Sequence, residues 1–363
     1  MYKLVYFIHT YRYQHITLRR AFMAQSKRLS FMDFSAIISS FAVVTLHSAA
    51  GNFSFTNPSP SATLTIIIQI IFSFGVPMFF MQSGANVLNY RERYSTTTFF
   101  KKRLTKVVIP FLCWSVIAYV FLVLKTPTIN WSIIDFLYRL VTDTILGPYW
   151  FFYNIIAFYL CVPFLSVLLN HLKHTQILYL LALSTAVNAV YLPFMRAINS
   201  PTLDYVNLFP AIGNYLEYFL IGWYIVHVGV SAKWKKRIYI LSILSLVYEL
   251  TATIISTYHY GYIVKPYYDI SNLPAVIIMA ALFLLLKENN NNFSKYELRL
   301  KFFSGLTFGI YLIHPYVIAL LDKLLKVNSA TIHILIFPIL VYVISGLVVF
   351  LLHKIPYIKH VLP

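Results

Sequence analysis

The chain has 363 residues, of which 59% are apolar or aromatic and only 11% are charged. Average soluble domains are about 45–50% apolar and about 25% charged, so this composition excludes an ordinary water-soluble enzyme and favours a bilayer protein. The formal net charge of +18 would suggest nucleic acid as a partner of a soluble protein, but here the 29 basic residues lie between hydrophobic runs. We therefore expect no nucleic-acid partner.

Residues 1–26 form a basic, aromatic extension in which Arg, His and Gln are too frequent for a secretory signal. We expect the extension to lie on the anionic inner leaflet; the alternative is that translation starts at Met23. No repeat or linker divides the rest of the chain. Residues 27–355 are predicted to form one membrane domain, followed by a cytoplasmic tail over 356–363.

Hydrophobic runs of about 20 residues predict an all-α, polytopic membrane protein. Ten runs are found, at roughly 31–50, 64–86, 107–125, 149–170, 176–194, 208–228, 238–257, 271–286, 303–322 and 332–352. With the N-terminus inside, 23 of the 29 basic residues fall in inner segments and six in outer loops. Because Lys and Arg concentrate in short cytoplasmic loops, the split predicts ten spans with both termini cytoplasmic, in the cell membrane.

Four ionisable side chains lie within these runs: His47, Glu217, Glu249 and His314. Such groups are costly in a membrane and are functional candidates by default. At 1.5 Å per residue, His47 lies close to the outer face and His314 and Glu217 near the midplane. An imidazole there can take a proton from a hydroxyl, and a carboxylate can orient it; the alternative is a structural hydrogen bond between helices. Cys113 and Cys161 lie in apolar runs, so neither a disulfide nor a metal site is expected.

Six segments resemble, in order, those of the membrane acyltransferase-3 family. Asp33 and His47 have the fourteen-residue spacing of its opening helix. The other five are VPMFFMQSG (76–84), FFKKRLTKVVIPFLCWS (99–115), GPYWFFYNIIAFYLCVPFL (147–165), NYLEYFLIGWYI (214–225) and FGIYLIHP (308–315). The resemblance implies an enzyme that transfers an acyl group, most often acetyl, from cytoplasmic acyl-CoA to a hydroxyl of a surface glycan or its lipid-linked precursor. It gives His47 the role of catalytic base. His314 and Glu217 are further catalytic candidates because they are ionisable groups within predicted spans.

One departure concerns the donor. The family commonly has Arg or Lys eleven residues before the His, where this chain has Ala36. Five cations flank one inner vestibule and are predicted to bind the CoA phosphates instead: Arg91, Arg93, Lys101, Lys102 and Arg103. The alternative is that they only anchor the loop on the cytoplasmic side.

Tyr149 and Trp150 begin the fourth run on its outer side, where they are predicted either to stack on a sugar ring or to act as interfacial anchors. Ser83 and Gly84 are expected near the outer end of the second run, where Gly84 permits close helix approach. Two other functions stay open, a transporter or flippase of a lipid-linked saccharide and a silent scaffold in glycan assembly. The paired broken helices typical of transporters are not evident in the sequence.

Overall fold

A computed structural model describes residues 29–50, 59–198, 215–262, 264–327, 329–358 and 361–362, and over these the chain is helical, with no strand. The α-helices are α1 (Ser30–Ala50), α2 (Pro60–Phe72), α3 (Gly75–Val87), α4 (Thr96–Arg103), α5 (Ile109–Lys125), α6 (Ile133–Val141), α7 (Trp150–His171), α8 (His174–Ala186), α9 (Leu192–Ala197), α10 (Leu216–His227), α11 (Ala232–Tyr260), α12 (Leu273–Glu288), α13 (Asn290–Ser294), α14 (Glu297–Ser304), α15 (Thr307–Leu325), α16 (Ala330–Leu335) and α17 (Phe337–Leu352). The all-α prediction is therefore confirmed for the described residues.

Seven helical segments in the described ranges are long and apolar enough to cross a bilayer: Ser30–Ala49, Pro60–Glu92, Thr96–Lys125, Gly147–His171, His174–Ala197, Ala232–Tyr260 and Thr307–Leu325. The sixth, eighth and tenth predicted runs correspond to the shorter helices α10, α12 and α17. The sixth run, 208–228, is not one continuous helix, because Tyr215 has a left-handed φ of 87° and α10 begins only after it. The count of ten spans and the orientation of the termini stay predictions.

Glycines bring α3 and α10 into direct backbone contact. A Cβ atom on Gly84 would overlap the carbonyl of Phe219, and one on Gly222 would overlap the carbonyl of Met81. Small residues allow membrane helices to approach this closely and to gain dispersion contacts along their backbones. The expectation that Gly84 permits close helix approach is confirmed, and the α3–α10 pair forms the centre of the buried core.

Two π-helical turns interrupt the helices, and each is followed closely by a proline. Leu104–Val108 leads into Pro110 of α5, and Val187–Tyr191 leads into Pro193 of α9. A proline lacks the N–H that the preceding turn needs, and a π turn is one way in which the backbone accommodates this loss. The first π turn contains Lys106 and the second contains Asn188, so each of the two turns carries a polar side chain.

The end of the chain folds back against the start of α5. Trp114 Nε1 donates to the carbonyl of Val361 over 3.0 Å, and His353 Nε2 donates to that of Leu362 over 2.8 Å. The contact places the C-terminal tail at the end of α5 that follows the basic helix α4. That the tail and this basic helix share one side of the membrane stays a prediction.

Candidate active site

The two histidines from the first and ninth predicted runs meet. His47 lies in the last turn of α1, and His314 lies in the middle of α15. His47 Nδ1 is 2.9 Å from His314 Nε2, and the ring centroids are 5.0 Å apart with planes inclined by 15°. Because the nitrogens are much closer than the centroids, the rings meet edge to edge through a hydrogen bond. His314 is fully buried, whereas His47 is only partly buried.

A proline in α15 supplies the partner for the other nitrogen of His314. Pro315 has no N–H, so the carbonyl of Tyr311, four residues earlier, lacks its usual helical donor. His314 Nδ1 lies 2.7 Å from this carbonyl and 3.2 Å from that of Ile310. Because proline follows His314, the Tyr311 carbonyl is left without a backbone donor and is available to accept a hydrogen bond from the His314 imidazole.

Tyr311 also ties the histidine pair to the segment that precedes α7. Its hydroxyl donates to the carbonyl of Pro148, and its ring lies 5.9 Å from that of His314. The rings of Phe151 and Phe152 pack against it at centroid distances of 5.7 and 5.6 Å. The position of His314 thus depends on the Gly147–Tyr149 turn as well as on its own helix.

Phe151 and Phe152 also form part of the wall of an open cavity of about 350 Å³. Its polar lining comes from the end of α3, from residues 91–106, which we call the basic segment, and from α7: Gln82, Ser83, Asn86, Arg103, Lys106 and Tyr159. Ser83 donates to the Tyr159 hydroxyl over 3.2 Å, and Gln82 donates to Ser35 of α1 over 2.9 Å. The cavity runs from the basic segment toward the aromatic residues that pack on Tyr311.

Ser83 lines the same cavity as Arg103 and Lys106. In the predicted orientation the second run enters from outside, so its C-terminal end, with Ser83, would reach the inner side. The expectation that Ser83 lies near the outer end of this run is therefore inconsistent with the predicted orientation, which itself stays a prediction.

Four of the five predicted donor-binding cations lie against aromatic rings. The Lys102 ammonium lies 3.9 Å from the Tyr94 ring centroid, Arg93 lies over the same ring, and Arg91 lies over Tyr90. Arg103 is the partly buried member of the set, and it contacts the rings of Phe99 and Tyr159. Within the described part of the chain, none of the five, including the exposed Lys101, forms a salt bridge. No carboxylate of the described residues therefore neutralises their charge in an ion pair.

Among the described residues, the hydrogen bonds of the Arg91 and Arg93 side chains go to the backbone. Arg91 reaches the carbonyl of Pro163, and Arg93 reaches that of Asn86. These contacts fix the loop against α7 and the end of α3. They leave the positive charge of both guanidinium groups available to an anion.

A scan against protein families settles the class of the chain. A family model described as an acyltransferase domain, that of the acyltransferase-3 family, matches residues 30–353. The chain belongs to the acyltransferase-3 family. Neither a curated protein nor a solved structure gives a significant match. The protein is therefore a membrane-embedded acyltransferase, and the histidine pair and the cavity both lie within the matched residues.

Glu217, the third predicted catalytic residue of this acyltransferase, bonds to neither histidine. Its Oε2 accepts from Asn188 Nδ2 over 2.8 Å, while its Oε1 is buried and has no partner in the described ranges. Glu249 is also buried, as are Thr253 and Thr257 further along α11, and its Oε1 likewise lacks a described partner. Among the described residues, neither carboxylate therefore forms a hydrogen bond to His47 or His314.

The two aromatic residues predicted to bind a sugar differ in accessibility. Tyr149 is 1% exposed, and Phe111 and Phe152 meet its ring at angles of 71° and 89°. Trp150 is only partly buried, and its ring lies 5.7 Å from that of Tyr215. Trp150 thus has the more accessible ring.

Other site residues were not identified from the sequence: Asn188, Tyr311, Lys106 and Tyr159. Proline is the signal that could have found three of them, because Pro193, Pro315 and Pro110 lie just beyond Asn188, Tyr311 and Lys106. Tyr159 carries no such signal. At the position of the family's usual cation, Ala36 is partly buried in α1, and Asp33, one turn earlier, accepts from Ser304 over 2.6 Å.

Proposed function

We propose that the protein transfers an acyl group, acetyl in the first instance, from cytoplasmic acyl-CoA to a hydroxyl of a surface polysaccharide or its lipid-linked precursor, in the cell membrane. The observation that carries the proposal is the partly exposed imidazole of His47, held by the buried His314, in a chain of the acyltransferase-3 family. An imidazole so held is suited to general base catalysis.

In the proposed reaction, His47 takes the proton of the acceptor hydroxyl while the hydroxyl oxygen attacks the thioester carbonyl of the donor. The C–S bond then breaks, and the CoA thiolate takes the proton back from His47. The products are an O-acyl ester and free CoA, and the enzyme returns to its starting protonation state. No metal ion is required for this sequence, and the acid and base steps use the same imidazole.

The donor site in this proposal is the basic segment with the adjoining cavity. The phosphates of CoA would meet Arg91, Arg93, Lys101, Lys102 and Arg103, whose charges no described carboxylate neutralises by ion pairing. The pantetheine arm would enter the cavity past Arg103 and Lys106, toward the aromatic wall beside Tyr311. On the acceptor side, Trp150 offers the partly exposed aromatic surface that a sugar ring would use.

The experiment is mass spectrometry of surface glycans from a strain that lacks the gene, with and without the gene restored. The expected result is loss of an acyl substituent from an otherwise normal glycan, recovered on complementation. A changed amount of glycan with unchanged acyl content would contradict the proposal and point to transport or assembly.

A further inference from the structure

The hydrogen bonds of His314 determine which of its nitrogens carries a proton. A carbonyl oxygen only accepts, so the 2.7 Å contact with Tyr311 requires an N–H at Nδ1 of His314. In a neutral imidazole the other nitrogen is then a bare acceptor. Nε2 of His314 therefore presents a lone pair to His47.

The same reasoning extends to His47. Because His314 Nε2 accepts, the 2.9 Å bond requires a proton on His47 Nδ1. The neutral His47 ring then has its lone pair on Nε2, the nitrogen on the far side from His314. The reverse arrangement would need a doubly protonated His314, and a fully buried cation without a carboxylate partner is strongly disfavoured. Among the described residues, no carboxylate forms an ion pair with either ring.

We propose that His314 is a positioning residue: it fixes His47 as the Nδ1–H tautomer and so makes Nε2 of His47 the atom that receives the acceptor's proton. This inference rests on the proposed function of His47. When Nε2 takes the proton, the donor at Nδ1 becomes part of a cation, and its bond to the neutral His314 strengthens. The chain from Tyr311 through His314 to His47 thus orients the base before the reaction and stabilises its charged form during it.

Two substitutions at His314 distinguish a role in positioning His47 from a role in filling space between the helices. In His314→Gln the amide oxygen can replace Nε2 as the acceptor for His47, whereas His314→Met fills the site without a comparable acceptor. The expected result is a fall in kcat of about 10²-fold for His314→Met, with little change in KM for either substrate. His314→Gln should recover at least about tenfold of that loss, because it restores the acceptor.

Nitrogen NMR of protein labelled with ¹⁵N-histidine reads the tautomer directly, without reference to activity. The signals of His47 are assigned by their absence in His47→Gln, at a pH where the ring is neutral. We expect a protonated Nδ1 and a bare Nε2 in the wild type and in His314→Gln, and a shift toward protonated Nε2 in His314→Met.

Three outcomes are decisive. A proton on Nε2 of neutral His47 in the wild type would overturn the inference, and so would an unchanged tautomer in folded His314→Met. Equal kcat in the Gln and Met variants would also overturn it, since bulk alone would then matter. Full acyl transfer by folded His47→Gln is a different result: it would overturn the proposed function and remove the catalytic role of the tautomer, while the NMR signals would still report the bonding.

Discussion

Two polar pairs lie buried between helices of this protein, and they differ in what their hydrogen bonds leave accessible. The His47–His314 pair forms a chain of hydrogen bonds that ends at His47, which is only partly buried. In the Glu217–Asn188 pair the glutamate is fully buried, with one carboxylate oxygen left without a described partner. An ionisable residue within a span is therefore not by itself evidence of a catalytic role. It can exchange a proton with substrate only where one of its atoms is accessible.

Isosteric substitution at the two pairs gives the largest expected contrast. His47→Gln should lower acyl transfer by about 10²–10⁴-fold, because a positioned base is lost. Glu217→Gln should keep turnover within about threefold, a change of less than about 1 kcal/mol, because its amide oxygen still accepts from Asn188. Acyl content of surface glycan in matched strains measures both. If Glu217→Gln fell as far as His47→Gln, Glu217 would share the catalytic role that the sequence predicts for it.

Neutralising Lys101, Lys102 and Arg103 to Gln together should raise KM for acyl-CoA by about tenfold, or about 1.4 kcal/mol, with a smaller effect on the acceptor. The reason is that, in the proposal, these cations contact the donor and not the acceptor. The matched control replaces Lys233, Lys236 and Arg237 with Gln, which removes the same charge from the start of α11. Equal effects of both triple variants in correctly inserted protein would return the first cluster to an anchoring role.

Gly84→Ala should lower the free energy of unfolding by about 1–3 kcal/mol, because the added methyl group forces α3 away from α10. Gly346→Ala is the control, since its Cβ would meet only an ordinary contact at 3.6 Å from Ile310 Cδ1. The control should be neutral or slightly stabilising, because Ala favours helix. Thermal unfolding in detergent compares the two, and equal stability would contradict the close packing of α3 on α10.

The smallest expected change in stability is at Asp143, whose carboxylate lies outside the membrane-spanning segments. Burial raises its pKa to about 6, and its φ of 54° suits Asn. A raised pKa means that the folded protein binds this proton more tightly, so stability falls as pH rises from the ordinary value near 4 through about 6. Asp143→Asn should therefore raise Tm by about 1–2 °C at pH 7.5 and less at pH 4.5. The effect is small because water screens a partly exposed carboxyl, and an equal gain at both pH values would assign it to the backbone alone.

The sequence predicted the helical class and both histidines, because apolar runs and buried ionisable groups are local features. It did not predict that His47 and His314 touch, since 267 positions separate them and one sequence does not specify helix neighbours. The breaks within runs were also missed, although Pro110 and Pro193 mark the π turns and could have been noticed. The short helix α6 was also missed, although its signals are local. Ser132 caps the helix, and Arg139 pairs with Asp135 at 2.8 Å and lowers the pKa of that carboxyl.

The most direct test of the account uses purified protein in sealed vesicles, with orientation established by labelling Ser95→Cys with an impermeant thiol reagent. Acyl-CoA with a labelled acyl group is supplied on one side only, and label in the glycan acceptor is measured for the wild type and His47→Gln. The account predicts transfer by the wild type when the donor faces the basic segment, and transfer reduced by about 10²–10⁴-fold in the variant. Acyl transfer at the wild-type rate by a well-folded His47→Gln protein would contradict the account. So would a rate of transfer that is the same whichever side the donor is supplied on.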